Sequence, residues 1–164
     1  MKFNPCSGNI LIRYNVQVDD YQHGGVLGAD GNVYARSRYG QIYKIDTSNM
    51  EFKIIGHNIC WKTGAGWGLP VLGADKQIYF PPCNHNQVLQ YNSSMQNRLL
   101  IGNSYEQDSD KWYGGALAPD GYVYFFPYNS KNILQVDTRP LNEKIMELIK
   151  KIHQEHEHEH LNQA

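Results

Sequence analysis

Leu27, Leu72 and Leu117 stand 45 residues apart, each inside the same phrase: GGVLGADGNVY at 24–34, LPVLGADKQIY at 69–79 and GGALAPDGYVY at 114–124. A second phrase follows each one, QIYKIDT at 41–47, QVLQYNS at 87–93 and NILQVDT at 132–138. Self-similarity at a fixed period of this size marks a repeat architecture, whose units bury their apolar faces against one another. This periodicity limits the possible folds more than any property of the chain averaged over its length.

Each copy reads as four short strands. VLGADGNVY places two apolar stretches around Asp30-Gly31, a dipeptide that supplies the positive φ a tight hairpin needs. The third copy keeps Asp120-Gly121, whereas the second has Asp75-Lys76, which predicts a strained turn or a change of turn type. A variable loop follows (ARSRYG, FPPCNHN, FFPYNSK), and its prolines belong outside strand interiors. The third strand, IYKID, VLQYN or ILQVD, alternates at period two, and MEFKIIG or QNRLLIG forms a fourth. Four antiparallel strands every 45 residues make one blade of a β-propeller. The expected fold is therefore all-β, a partial propeller of about three and a half blades.

The expected organisation begins with residues 1–20 as outer strands of an incomplete blade, since Pro5-Cys6 aligns with Pro82-Cys83 and NILIRYN with QVLQYN. Repeats follow at 21–65, 66–110 and 111–138. The pattern then breaks. Pro140 suits a first helical position, and Leu141, Ile145, Leu148, Ile149 and Ile152 fall on one stripe, so 139–153 is read as an amphipathic helix in place of a fourth strand. The His/Glu-rich tail 154–164 is expected to be solvated and disordered. Rings close at roughly four to eight blades, so this chain is too short to close alone.

A net charge of −1 provides no broad field toward nucleic acid or anionic lipid, and neither is expected as a partner. The first twenty residues lack the apolar centre of a signal peptide, and no run reaches the ~18 apolar residues of a membrane span. A cytoplasmic location is expected. Cys6, Cys60 and Cys83 lack CxxC spacing and read as buried or half-buried free thiols.

The phrase GG-x-L-x-x-DG-x-x-Y with its following I/V-L-Q-x-D/N strand resembles β-propeller repeats of the NHL and streptogramin-lyase-like groups. The Gly-His and Trp-Asp pairs of WD-type repeats are missing. The resemblance covers 1–138 and implies that the first strand of each blade lines a central channel. It also implies that inter-blade loops (57–67, 102–113) and loops between second and third strands (35–41, 80–86, 125–131) share the face where ligands bind. Fold by itself does not assign function.

Those segments hold Arg36, Arg38 and Tyr39, then Asn84 and His85, then Tyr128 and Asn129, with Trp67 and Trp112 at equivalent positions. Such aromatic and polar sets are typical of binding surfaces. Each has a plainer reading beside it. Recurrence of the tryptophans at the repeat period is what inter-blade packing produces, Arg36 and Arg38 in a turn read as solvated charges, and His85 as a surface histidine. Gly24-Gly25 and Gly114-Gly115 read as backbone devices near the axis.

Phosphate-binding, HExxH and GxSxG motifs are absent from the sequence. His153, His156 and His160 lie at i, i+3 and i+7, a spacing that puts imidazoles on one side of a continuing helix and could hold zinc, copper or nickel. The resemblance to streptogramin lyases implies a face histidine acting with a divalent metal, and His85 or His23 could be given that work. No acidic partner shares a recognisable loop with either. The expected function is a non-catalytic binding or scaffold module without a cofactor, recognising a protein or peptide. The alternatives are a lyase- or hydrolase-like enzyme and a fragment without independent function. Two copies of about three and a half blades would complete a seven-bladed ring, so a homodimer is a further expected partner.

Overall fold

The computed structural model describes residues 3–4, 9–10, 22–37, 41–55, 66–105 and 110–161, with side chains from Gly24 to Glu155 within these. A two-stranded antiparallel sheet, β1 (Phe3–Asn4) and β2 (Asn9–Ile10), comes first. Blade one follows as β3 (Gln22–Leu27), β4 (Val33–Ser37), β5 (Ile42–Ile45) and β6 (Phe52–Ile55), paired in sequence order. Blade two repeats the order with β7 (Val71–Leu72), β8 (Ile78–Phe80), β9 (Val88–Asn92) and β10 (Asn97–Ile101). Blade three has β11 (Trp112–Leu117), β12 (Tyr122–Pro127) and β13 (Leu134–Asp137), and the chain then enters α1 (Leu141–Leu161). The fold is all-β up to this helix, with three consecutive antiparallel blades.

Alternation along each strand sends neighbouring side chains to opposite faces, and the faces pack blade on blade. Ile78, Phe80, Leu89 and Tyr91 of blade two meet Tyr34 and Ile42 of blade one, with Trp67 in the same cluster. Val71, Tyr79 and Val88, on the other face of blade two, meet Val123, Phe125 and Leu134 of blade three, together with Trp112. Blade two is thus covered on both sides, which is why β8 is buried at all three positions. Each such aliphatic or aromatic side chain contributes about 1.5–3 kcal/mol on burial. The first strands are neighbours, β7 lying between β3 and β11. Pro70 has no N–H to donate, and the first strand of blade two is reduced to two residues and an isolated bridge from Trp67 to Pro82.

The turn of each hairpin is closed by a tyrosine. Tyr34, Tyr79 and Tyr124 donate their hydroxyls at 2.7 Å to Asp30, Asp75 and Asp120, four residues earlier. The same two backbone bonds close all three turns, from Gly28 to Asn32 and Gly31 to Gly28 in the first and at the matching residues in the others. Gly31 and Gly121 take φ of 79° and 82°, and Lys76 is held at 66°. The second turn therefore keeps its type and places a side chain in the left-handed region, at a cost of about 1–2 kcal/mol. Gly24 is at a bulge with φ of 48°, and a Cβ at Gly115 would run into the Tyr124 carbonyl, which accounts for glycines beside the axis.

Thr138 joins blades two and three. Its buried hydroxyl donates to the Gly121 carbonyl at 2.7 Å and accepts the Ala74 N–H at 3.0 Å. Thr47 makes the matching bond to Gly31 at 2.8 Å, whereas the Ser93 hydroxyl at the corresponding point of blade two is buried without a partner.

Residues 143–149 are helical, as the apolar stripe predicts, and Pro140 stands just before α1 with its carbonyl accepting the Glu143 N–H. Arg139 grips Asp137 through two nitrogens and reaches Glu147 at 2.6 Å, tying α1 to β13. This hydrogen-bonded guanidinium holds the Asp137 carboxyl down at about 2. The tail departs from expectation, since the helix continues through Leu161 where disorder was expected from 154. Glu and Gln retain helix propensity there, and no Gly or Pro interrupts them. The stripe residues Leu141, Ile145, Leu148, Ile149 and Ile152 are all exposed, so the helix does not cover the blades. Among the described residues no helix is long and apolar enough to cross a membrane.

Two substitutions test this account by equilibrium denaturation. Lys76→Gly is expected to raise stability by about 0.5–1 kcal/mol, the relieved strain exceeding the added unfolded-state entropy. Thr138→Val keeps the shape and the backbone bond from residue 138 to the Gly121 carbonyl, strands the Ala74 N–H, and is expected to cost about 1–3 kcal/mol.

Candidate functional site

The loops that follow the second strands of blades two and three are stitched together through the connector between those blades. The Gly66 carbonyl accepts the His85 N–H at 2.7 Å and those of Cys83 and Asn84 at 3.1 Å each. The Lys111 N–H donates to the Cys83 carbonyl at 3.0 Å, and the Lys111 carbonyl accepts from Tyr128 at 2.9 Å. Asn129 N–H reaches the Asp110 carbonyl, and the Asp110 N–H donates to the Asn84 side-chain oxygen at 2.8 Å. The positive φ of Asp110 (56°) turns the connector into this arrangement. Segments 26 and more residues apart in sequence thus form one surface.

Arg36 lies at its centre. Expected as a solvated loop charge, it instead belongs to β4 and is 2% exposed. The strand runs three residues further than the turn signals implied, through Ser37, and its alternation points Arg36 toward the neighbouring blades. One guanidinium nitrogen donates to the Ser37 carbonyl at 3.1 Å, and the group lies 5.2 Å from the centre of the Tyr113 ring. Its Nε is buried without a partner, and no carboxylate among the described residues pairs with it. A buried guanidinium in this condition is costly unless an acceptor is supplied from outside. Tyr113 in turn tilts against Tyr128, so the set reaches from blade one to blade three.

His85 is buried and stacks on Trp67 with ring centres 4.4 Å apart. Its Nδ1 accepts the Gln87 N–H at 3.0 Å, which places the proton of the neutral ring on Nε2. Burial, and then the nearby Lys111 charge, push its pKa below the usual histidine value. The Cys83 thiol is buried and donates to Asp110 at 3.3 Å. Burial and that carboxylate raise it to about 12, which makes it a packed, unreactive thiol.

The structure brings Arg36, Asn84, His85, Tyr128 and Asn129 to one face. Arg38 and Tyr39 lie outside the described residues. Trp67 and Trp112 sit in the two inter-blade clusters, and each donates its indole N–H to a backbone carbonyl twenty residues on, Gln87 at 3.0 Å and Asn132 at 2.7 Å. Repeated burial with a repeated bond is packing. His153 is exposed on α1, while the side chains of His156 and His160, like that of His23, lie outside the described set. Among the described residues no group of three His, Cys, Asp or Glu side chains is placed to hold a metal ion. Lys111, Asp110 and Tyr113 belong to the site and were not singled out from sequence, although they flank Trp112 in a connector assigned to this face.

No family model matches this sequence, and no curated protein matches it. Solved structures do. Virginiamycin B lyase from Staphylococcus aureus superposes with a TM-score of 0.61 at 14% identity, covering 85% of this chain and 48% of the lyase. A catalytically inactive histidine-to-alanine variant of that enzyme, solved with quinupristin, gives 0.60 at 14%, covering 83% and 47%. A luciferin-regenerating enzyme gives 0.54 at 15%, covering 74% and 44%. The chain spans about half the length of these proteins. At such identities the likeness defines a β-propeller fold, and the neighbours that share it include enzymes.

The His85 environment has a pH consequence. With the folded pKa below the unfolded value of 6.5, the unfolded chain binds the extra proton first. Stability from this residue is complete above about 6.5 and declines as pH falls below it. Urea denaturation between pH 5 and 7 is expected to show this slope, and His85→Phe, which keeps an aromatic ring on Trp67, is expected to flatten it.

Proposed function

We propose that this chain is a non-catalytic propeller-type binding module, of the NHL or streptogramin-lyase-like kind, that acts in the cytoplasm. Its loop face accepts an anionic group, a carboxylate carried by a protein or peptide partner. The observation that carries the reading is Arg36, a buried guanidinium with an unpaired Nε and no carboxylate partner among the described residues. Guanidinium matches carboxylate geometry through paired N–H donors, and a desolvated site strengthens the attraction. Tyr113 and Tyr128 beside it offer flat, rigid surface of the type that anchors a peptide.

The enzyme reading draws on the lyase neighbours, one of which loses activity when a histidine is replaced. Among the described residues, His85 is the histidine on this face. Its Nδ1 lone pair is already engaged by the Gln87 N–H, and its Nε2 carries the proton, so it is not arranged to take a proton from a substrate. The binding reading is therefore preferred.

The test is fluorescence anisotropy with two labelled dodecapeptides of one scrambled composition, one rich in Asp and Glu and the other with Lys in their place. Preference for the acidic peptide is expected, reduced at least about tenfold in Arg36→Met and retained in part by Arg36→Lys. Equal binding of both peptides, or an Arg36→Met variant that folds and binds the acidic peptide as wild type does, would overturn the proposal.

A further inference from the structure

Blade three lacks the strand that closes the outer edge of the other two. β6 pairs with β5 and β10 with β9, both antiparallel, whereas no strand among the described residues pairs with β13 on its outer side. The chain continues past Thr138 into α1, so the residues next in line are already committed to helix. In an antiparallel ladder every second residue directs its N–H and C=O to the same neighbour. Asp46 turns these groups outward in blade one, its N–H donating to the Glu51 carbonyl at 2.8 Å. Asp137 is the matching residue, so Asp137, Gln135 and Ile133 carry the outward groups of blade three. The Thr138 N–H, one residue on, points inward to the Gly121 carbonyl at 3.2 Å, as this alternation requires. The Lys144 ammonium takes the Asp137 carbonyl at 2.9 Å and ends the edge there. Ile133 is 59% exposed and Gln135 is exposed too, so α1 does not cover the rest.

The two completed blades display what fits such an edge. Ile42, Val88 and Ile133 hold the same place in the repeat. Ile42 is paired with Ile55 of β6, and Val88 with Ile101 of β10. Ile55 and Ile101 are each partly buried and pack against an inter-blade cluster. The first four residues of β10 and the middle two of β6 are exposed. A fourth strand in this fold thus supplies main-chain bonds and one isoleucine, and asks little of its remaining side chains. Ile42 and Val88 are buried, whereas Ile133 lacks such a partner among the described residues. A second copy offers no spare strand of this kind among its described residues, because β6 and β10 are each paired within their own blade.

We propose that this edge is a strand-addition site for a partner protein. An extended segment of the partner pairs antiparallel with residues 133–137 and sets an isoleucine or valine beside Ile133. Recognition of this kind draws its affinity from main-chain bonds and its selectivity from the side chain that meets an apolar neighbour. Lys144 fixes the register by closing the edge at Asp137. Phe126, exposed on the adjoining strand next to Ile133, extends the apolar row that the added side chain joins. Natural sheets otherwise guard an edge of this type with charge, proline or a covering helix. The inference does not rest on what the loop face binds.

The probe is a fluorescein-labelled peptide carrying residues 95–103, the β10 sequence with its flanks, titrated with the full chain by anisotropy. Binding is expected, with amide hydrogen exchange slowed at 133, 135 and 137. By the same alternation the N–H groups of Leu99 and Ile101 in the peptide face β13. Their N-methylation is expected to weaken binding at least about tenfold, while N-methylation at Arg98 and Leu100 leaves it intact. Ile101→Asp in the peptide is expected to weaken it as well. In the protein, Gln135→Pro removes one outward N–H without touching the ladder to β12, and is expected to fold and to bind at least about tenfold more weakly. Gln135→Ala is expected to bind as wild type does. Absence of binding, equal binding of the peptide methylated at Leu99 and Ile101, or slowed exchange that spares 133–137 would overturn the proposal whether or not Gln135→Pro folds. So would a wild-type chain of twice 18.8 kDa in which these amides are already protected without peptide.

Discussion

Blade-on-blade burial is the interaction on which the rest of this structure depends. A small sheet of strands two to six residues long has two apolar faces and little interior, so it gains stability only by giving each face a neighbour. Blade two has both neighbours, with Ile78 and Phe80 covered on one side and Val71, Tyr79 and Val88 on the other. Everything local serves this contact. The Asp–Tyr bonds at 2.7 Å hold each hairpin turn in one shape, so the second strand leaves every turn in the same direction and register. The tryptophan N–H bonds to Gln87 and Asn132 satisfy the polar atom of a side chain that must be buried to fill the seam.

The architecture was largely readable in the chain because a repeat states its rules several times. Three copies of the hairpin phrase and three of the third strand place the blades, and the loss of the pattern after Thr138 marks the change to helix. The hairpin at Asp75-Lys76 shows the strength of this signal. The dipeptide was wrong for the turn, yet the flanking repeat residues impose the turn and put Lys76 at φ of 66°. Where only one copy speaks, sequence is a poorer guide. The helix end at Leu161 rather than near 153 has no repeated element behind it, and the local propensities of Glu and Gln set it.

The site was legible as a face and illegible in detail. Topology assigns loops 80–86, 125–131 and the 102–113 connector to one side, and the structure joins them. It does not say which side chains are buried there. Arg36 read as solvated because arginine beside serine and glycine signals a turn, whereas β4 extends through Ser37 and carries the side chain inward. Lys111 and Tyr113 escaped notice because Trp112 between them was the residue that recurred. The tryptophans attracted attention for a reason that, in a repeat, argues for packing.

Departures from the repeat are more informative about function than its conserved pattern. Residues that recur at the period answer a demand common to every blade, and a demand common to every blade is structural. The positions 36, 81 and 126 correspond, and they hold arginine, proline and phenylalanine. Pro81 is buried and performs the ordinary task of that position. Phe126 is exposed at the open end of the stack, and Arg36 is buried with an unsatisfied Nε. Among the described residues Phe126 has no blade packed on it, and the Arg36 guanidinium bonds the Ser37 carbonyl but no carboxylate. The two cases differ in kind. Phe126 stands exposed on a blade face of the type that packs elsewhere in the stack, whereas Arg36 carries a buried charge that an apolar face does not satisfy.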